Sequence, residues 1–147
     1  MHRGRSVAVV LVAVALVWFA QAGAAQNSQE KYKVRLSTVP MDGGMRNTVA
    51  GFGAASATLA GTKLSITGTF DGLKSPATSA QLHSGVARGV RGNAVGDLQV
   101  TKSTKGSING SVDLTPDQVK GLRDGKLYIE VASEKAPEGN LWGWILK

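Results

Sequence analysis

The sequence predicts an all-β domain, an antiparallel sandwich or barrel, behind an apolar N-terminal segment. Four separate stretches alternate apolar and polar residues with period two, turn signals stand between them, and the 147-residue chain holds 19 glycines. Alternation of this kind places one face of each strand on a core and the other in water.

The N-terminal segment comes first. Arg3 and Arg5 precede an almost unbroken apolar run from Val7 to Ala25, interrupted by Gln21 and relieved by Gly23. A charged start, an apolar stretch and Ala22-Gly23-Ala24 before Ala25 meet the requirements of a cleaved signal peptide. The same run, at about 1.5 Å per residue, makes a helix of roughly 28 Å, close to the hydrocarbon thickness of a bilayer. Trp18 and Phe19 then sit towards the outer interface, and Arg3 and Arg5 hold the N-terminus in the cytoplasm. Residues 1–25 are therefore a signal anchor or transmembrane helix, or a cleaved signal peptide, followed by a polar linker at 26–30. Residues 31–147 form one domain, facing the periplasm or the cell exterior.

Within that domain Val34 and Leu36 share one face of a strand whose other face carries Lys33, Arg35 and Ser37. Leu64, Ile66, Gly68 and Phe70 repeat the arrangement, as do Ile108, Gly110, Val112 and Leu114, and then Leu127, Ile129 and Val131. Turn signals separate them at Met41-Asp42-Gly43-Gly44, Ala60-Gly61, Asp71-Gly72, Arg91-Gly92-Asn93 and Asp124-Gly125. One short helix follows Thr115, which is its N-cap. Pro116 suits the first helical position, Gln118 completes a capping box, and Asp117 lies near the positive end of the dipole. Val119 and Leu122 are its inward anchors, and it closes one end of the domain.

Without Arg3 and Arg5 the chain keeps 15 basic residues against 10 acidic ones, a net charge of +5. The cations are scattered singly along the chain, with no basic run or interleaved aromatic platform, so no nucleic-acid partner is expected. A positive outer surface favours acidic proteins, anionic glycans or lipid headgroups by long-range steering. The absence of cysteine excludes disulfides, thiolate metal sites and cysteine nucleophiles together. Ser84, Asp97 and His83 are accompanied by no nucleophile elbow and make no hydrolase triad. The glycines at 85, 89 and 92 open no helix after a strand and make no phosphate cradle.

Several segments together resemble the CHRD domain, the module named after chordin and found widely in bacterial exported proteins. They are Gly68-Thr69-Phe70-Asp71-Gly72-Leu73 followed by Ser75 to His83, then Gly110 to Pro116 with its helix, Gly125 to Val131, and Pro137 to Leu146. The resemblance covers about Tyr32 to Leu146. It implies a Greek-key or immunoglobulin-like β-sandwich with one short helix and no established enzymatic activity; no cofactor is expected for this chain.

Two departures from that family bear on function. The resemblance implies two alternate histidines where this chain has Gln81 and His83, and another near Ala132 and Ser133. Only His83 remains. Alternate histidines share a strand face and, with a third, make an imidazole site for copper or zinc; one imidazole does not. A secreted metal-binding domain built on His83 with carboxylates is the alternative reading, and His83→Ala tests it. The last strand also departs. Leu141, Gly143 and Ile145 alternate with Trp142, Trp144 and Leu146, and the family has polar residues at the two tryptophan places. Two indoles one strand repeat apart form an exposed apolar ridge unless a helix or loop of this chain covers them or the face is core, and tryptophan is enriched at interface hot spots. With Arg88 and Arg91 in the loop that holds Gly85, Gly89 and Gly92, they are the expected partner-binding residues. The expectation is a membrane-anchored, non-enzymatic accessory subunit that docks on the subunits of a larger membrane-protein complex, whether photosynthetic, respiratory, transport-related or of a surface layer. Its N-terminal helix contacts the lipid bilayer.

Overall fold

The computed structural model describes residues 28–147. The expected anchor, with Arg3, Arg5, Trp18 and Phe19, lies outside the described residues. Among the described residues no helix is long and apolar enough to cross a membrane. The first strand begins at Glu30, the last residue of the expected linker.

Eight antiparallel strands form the domain: β1 (Glu30–Thr38), β2 (Phe52–Ala60), β3 (Lys63–Asp71), β4 (Ala77–Ser84), β5 (Asn93–Val100), β6 (Gly106–Asp113), β7 (Leu127–Ser133) and β8 (Ala136–Leu146). One helix, α1 (Pro116–Arg123), stands between β6 and β7. Their order around the sheet is β1-β2-β3-β6-β5-β4-β7-β8, and β8 returns to pair with β1. The run β3-β6-β5-β4 is a Greek key, since three hairpin-connected strands are closed by one that crosses over. The architecture is a closed barrel, one of the two forms the strand pattern allowed, and not the sandwich that the family resemblance implied.

The physical reason lies at the two seams. A sandwich keeps its sheet edges open, whereas here β1 pairs with both β2 and β8, and β5 with both β4 and β6. Both joins depend on missing side chains. A Cβ on Gly143 of β8 would lie 2.6 Å from the Arg35 carbonyl oxygen of β1, and one on Gly96 of β5 would lie 2.8 Å from both methyl groups of Val112 on β6. Glycine at such places lets neighbouring backbones approach and the sheet bend round to closure.

Inside the barrel lies one core to which nearly every strand contributes, including Leu36, Leu64, Leu82, Ile108, Ile129 and Ile145, all essentially inaccessible to solvent. The alternation expected for β1, β3, β6 and β7 is the observed one: Val34, Leu36, Leu64, Ile66, Ile108, Val112, Ile129 and Val131 are buried. The capping box forms as expected, with Thr115 Oγ1 accepting from the Gln118 amide at 3.2 Å and Gln118 Oε1 accepting from the Thr115 amide at 2.9 Å. Val119 and Leu122 point inward. The Met41–Gly44 signal becomes a 3₁₀ turn over Gly43–Asn47, capped by Asp42, whose Oδ1 accepts from the Gly44 and Met45 amides.

A polar latch joins the ends of the described chain. Glu30 accepts from Arg123 of α1 at 2.6 and 3.0 Å, from the Tyr32 hydroxyl at 2.7 Å and from Lys147 at 3.0 Å. The Arg123 hydrogen bonds, then those of Tyr32 and Lys147, hold the Glu30 carboxyl down from 4.5 to about 2. Burial first, and then the Glu30 carboxylate, pushes Tyr32 up to about 12. A depressed carboxylate contributes stability that is complete above its unfolded value and is lost as pH falls through its folded one. Glu30→Gln is therefore expected to lower the melting temperature at neutral pH, with the gap to wild type closing between pH 4.5 and 2. A gap that is constant across that window would show that the latch contributes nothing.

Candidate functional site: an aromatic and cationic face

The outward face of β4, β7 and β8 gathers four aromatic rings. Register places Tyr128 opposite both His83 and Trp144, and Glu130 opposite both Gln81 and Trp142. Tyr128 is the hub. His83 stacks on it with ring centres 5.1 Å apart, Trp144 tilts over it at 4.5 Å, and Trp142 meets it edge-on at 5.9 Å. The two indoles meet edge to face at 5.8 Å. Such contacts add about 0.5–1.5 kcal/mol per pair beyond the area they bury.

Trp142 and Trp144 face outward, as period two requires, but they are half-buried and do not form the exposed ridge expected. Trp142 packs against a small satellite core of Val39, Val49 and Ala136, with Met45 of the 3₁₀ turn beside it. The Arg91 guanidinium covers the same ring at 5.8 Å. Gly85, at the start of the loop between β4 and β5, sits so close to Trp144 that a Cβ there would lie 3.4 Å from the indole. The tryptophans are thus held in fixed orientations by this chain, while part of each stays accessible.

His83 holds the loop. Its Nδ1 lies 3.0 Å from the Gly92 carbonyl oxygen, an acceptor, so that nitrogen carries the proton and donates. The Gly92 amide in turn donates to the Tyr128 hydroxyl at 3.0 Å. His83 Nε2 is buried and has no hydrogen-bond partner among the described residues. Gln81 donates to Asp97 at 2.8 Å, and Ala132 has no ligating group. Among the described residues no three histidine or carboxylate side chains are grouped as a metal ion requires. The imidazole sits where it clamps backbone.

The two loop arginines differ. Arg91 donates to Glu130 Oε2 and to the Glu138 carbonyl oxygen, both at 2.8 Å, and is committed within the chain. Arg88 is exposed and turns to a groove of about 320 Å³, where it joins Lys33, Arg35, Lys147, Trp142, Trp144 and Leu146. Among the described residues Lys33, Arg35 and Arg88 form no salt bridge, and Lys147 pairs only with Glu30. Cations that stand singly in the sequence, on β1, in the β4–β5 loop and after β8, converge on one aromatic floor. Sequence reasoning missed this convergence. Its one trace is the Lys33, Arg35, Ser37 face of β1. A larger hollow of about 670 Å³ lies elsewhere, lined by Phe52, Thr69, Thr101 and Ser107 with one cation, Lys105, and one carboxylate, Asp71. Its charges are matched, and it presents no comparable chemistry.

The family model of the CHRD domain matches residues 32–145, from Tyr32, the third residue of β1, to Ile145, the penultimate residue of β8. The chain belongs to the CHRD domain family. No curated protein and no solved structure matches it. The matched span takes in every strand of the CHRD barrel, and the groove is built within it except for Leu146 and Lys147 at its end. In this CHRD domain the places at which the resemblance implies histidines, Gln81, His83 and Ala132, lie on the outward face of β4 and β7, next to the tryptophans.

Proposed function

We propose that this CHRD protein is a non-enzymatic, extracytoplasmic docking subunit, held at a membrane by its N-terminal segment, which presents the Trp142–Trp144 face to a larger membrane-protein assembly. One observation carries the reading: preoriented indoles lie in the same groove as Lys33, Arg35 and Arg88, which have no carboxylate partner among the described residues. Rigid aromatic anchors lose little entropy on contact, and a cationic rim steers an acidic partner and fixes its register. The loop tip beside the groove adds apolar surface, with Val86 78% exposed.

Because Trp142 also packs on the satellite core, Trp144→Glu is the cleaner probe. The full chain, extracted from its native membranes in mild detergent, is expected to co-purify with a membrane-protein complex. The Trp144→Glu form is expected to elute alone while keeping its far-ultraviolet circular dichroism. Retention of the complex by the variant, or a wild-type chain that always elutes alone, would remove the proposal.

A further inference from the structure

The groove is more regular than a generic basic patch. Lys33 lies opposite Leu146 and Ser37 opposite Trp142, which sets Arg35 beside Trp144. Side chains two residues apart on a strand share a face and repeat every 6.5–6.8 Å or so, and adjacent strands lie about 4.8 Å apart. The outer surface here therefore holds two parallel rows in register, one of cations on β1 and one of apolar groups on β8. Arg88 and Lys147 contribute further positive charge to the same groove.

We infer that the groove takes an extended acidic segment of the partner protein, in which carboxylates alternate with apolar side chains. In an extended chain, successive side chains point to opposite sides and repeat with the period of the two rows. A segment lying along the groove sets its carboxylates over Lys33 and Arg35 and its intervening apolar groups over Trp144 and Leu146. Bidentate pairing suits Arg35, whose planar guanidinium matches a carboxylate. An anionic lipid supplies a single headgroup charge with no repeat, and an anionic glycan has no apolar row at alternate positions. The peptide satisfies both rows at once. This inference rests on the docking reading and names the chemistry of the docked partner.

The test uses the full chain in neutral detergent and a fluorescent short peptide of alternating glutamate and leucine, followed by anisotropy. The comparison probes are the same residues in block order, polygalacturonate, and a short-chain phosphatidylglycerol. The alternating peptide is expected to bind best, more weakly as salt rises. Lys33→Glu combined with Arg35→Glu, two exposed changes outside the core, is expected to weaken it about tenfold or more, since two attractions become repulsions. Equal binding by wild type and variant overturns the inference. So does equal binding of the block peptide, or binding of polygalacturonate or phosphatidylglycerol alone. If Trp144→Glu releases the membrane complex but no acidic peptide binds, the docking face stands and its proposed ligand falls.

Discussion

Tyr128→Ala is expected to destabilise the barrel by about 3–5 kcal/mol, the range for removing a large buried ring. Tyr128 is 1% exposed although it lies on the outer face of the sheet, because His83, Trp142 and Trp144 cover it. Its loss leaves a void that three rigid neighbours cannot fill, and it strips the Gly92 amide of its acceptor. Folded domains are stable by only about 5–15 kcal/mol, so this one change removes a large share of the total. Tyr128→Phe keeps the stack and loses the hydroxyl alone, which is expected to cost about 1 kcal/mol, with a displaced loop. Chemical unfolding of both variants, followed by far-ultraviolet circular dichroism, separates the two contributions. If Tyr128→Ala costs less than about 1 kcal/mol, the aromatic hub is decoration on a barrel held by its interior.

Gly92→Ala is expected to be nearly as damaging for a change of one methyl group. A Cβ at that position would lie 1.8 Å from the Ser84 carbonyl oxygen and 2.7 Å from the Gly85 Cα, all backbone that cannot swing aside. The loop must lift away from the end of β4, breaking the His83 and Tyr128 bonds to Gly92 together. Overpacking of this kind costs about 1–3 kcal/mol, and the lost hydrogen bonds add to it. Lifting the loop also moves Arg91 off Glu130 and Arg88 out of the groove. Gly92→Ala is thus expected to weaken docking as well as folding, whereas Gly89→Ala, in open space at the loop tip but at a φ of +84°, should affect the loop alone. Melting curves and co-purification of the Gly92→Ala chain, matching wild type in both, would sink this account.

The strands were legible where side chains were large enough to mark their faces. Val34 and Leu36, Leu64 and Ile66, and Leu127 to Val131 alternate visibly, and Thr115 with Gln118 announces α1 through its capping chemistry. Strand β2 was not legible, because Phe52–Ala60 is built mainly of glycine, alanine and serine, and its alternation in burial has almost no alternation in side chain to express it. Closure was not legible either. Whether two layers stay open or join depends on β1 meeting β8 and β5 meeting β6, and the signal for it is a side chain missing from Gly143 and Gly96. Period two gave the direction of Trp142 and Trp144 but not their cover, which comes from the 3₁₀ turn and the β4–β5 loop. Likewise Lys33, Arg35, Arg88 and Lys147 are separated along the chain, and only the β1–β8 pairing and the loop held by His83 assemble them into one charged groove.

The join between β1 and β8 also sets a schedule. The first strand finds its second neighbour only when the last strand has emerged, since Val34 pairs with Ile145. At about 5–20 residues per second, that wait during synthesis is on the order of ten seconds. Throughout it, one edge of β1 has unpaired amides and carbonyls, the arrangement that strays most readily onto other chains. Long-range pairing of this kind also makes folding slow. With no cysteine to trap a partly built barrel, the ring must be completed in a single late step, and a newly made chain remains vulnerable to aggregation and proteolysis until Ile145 is in place.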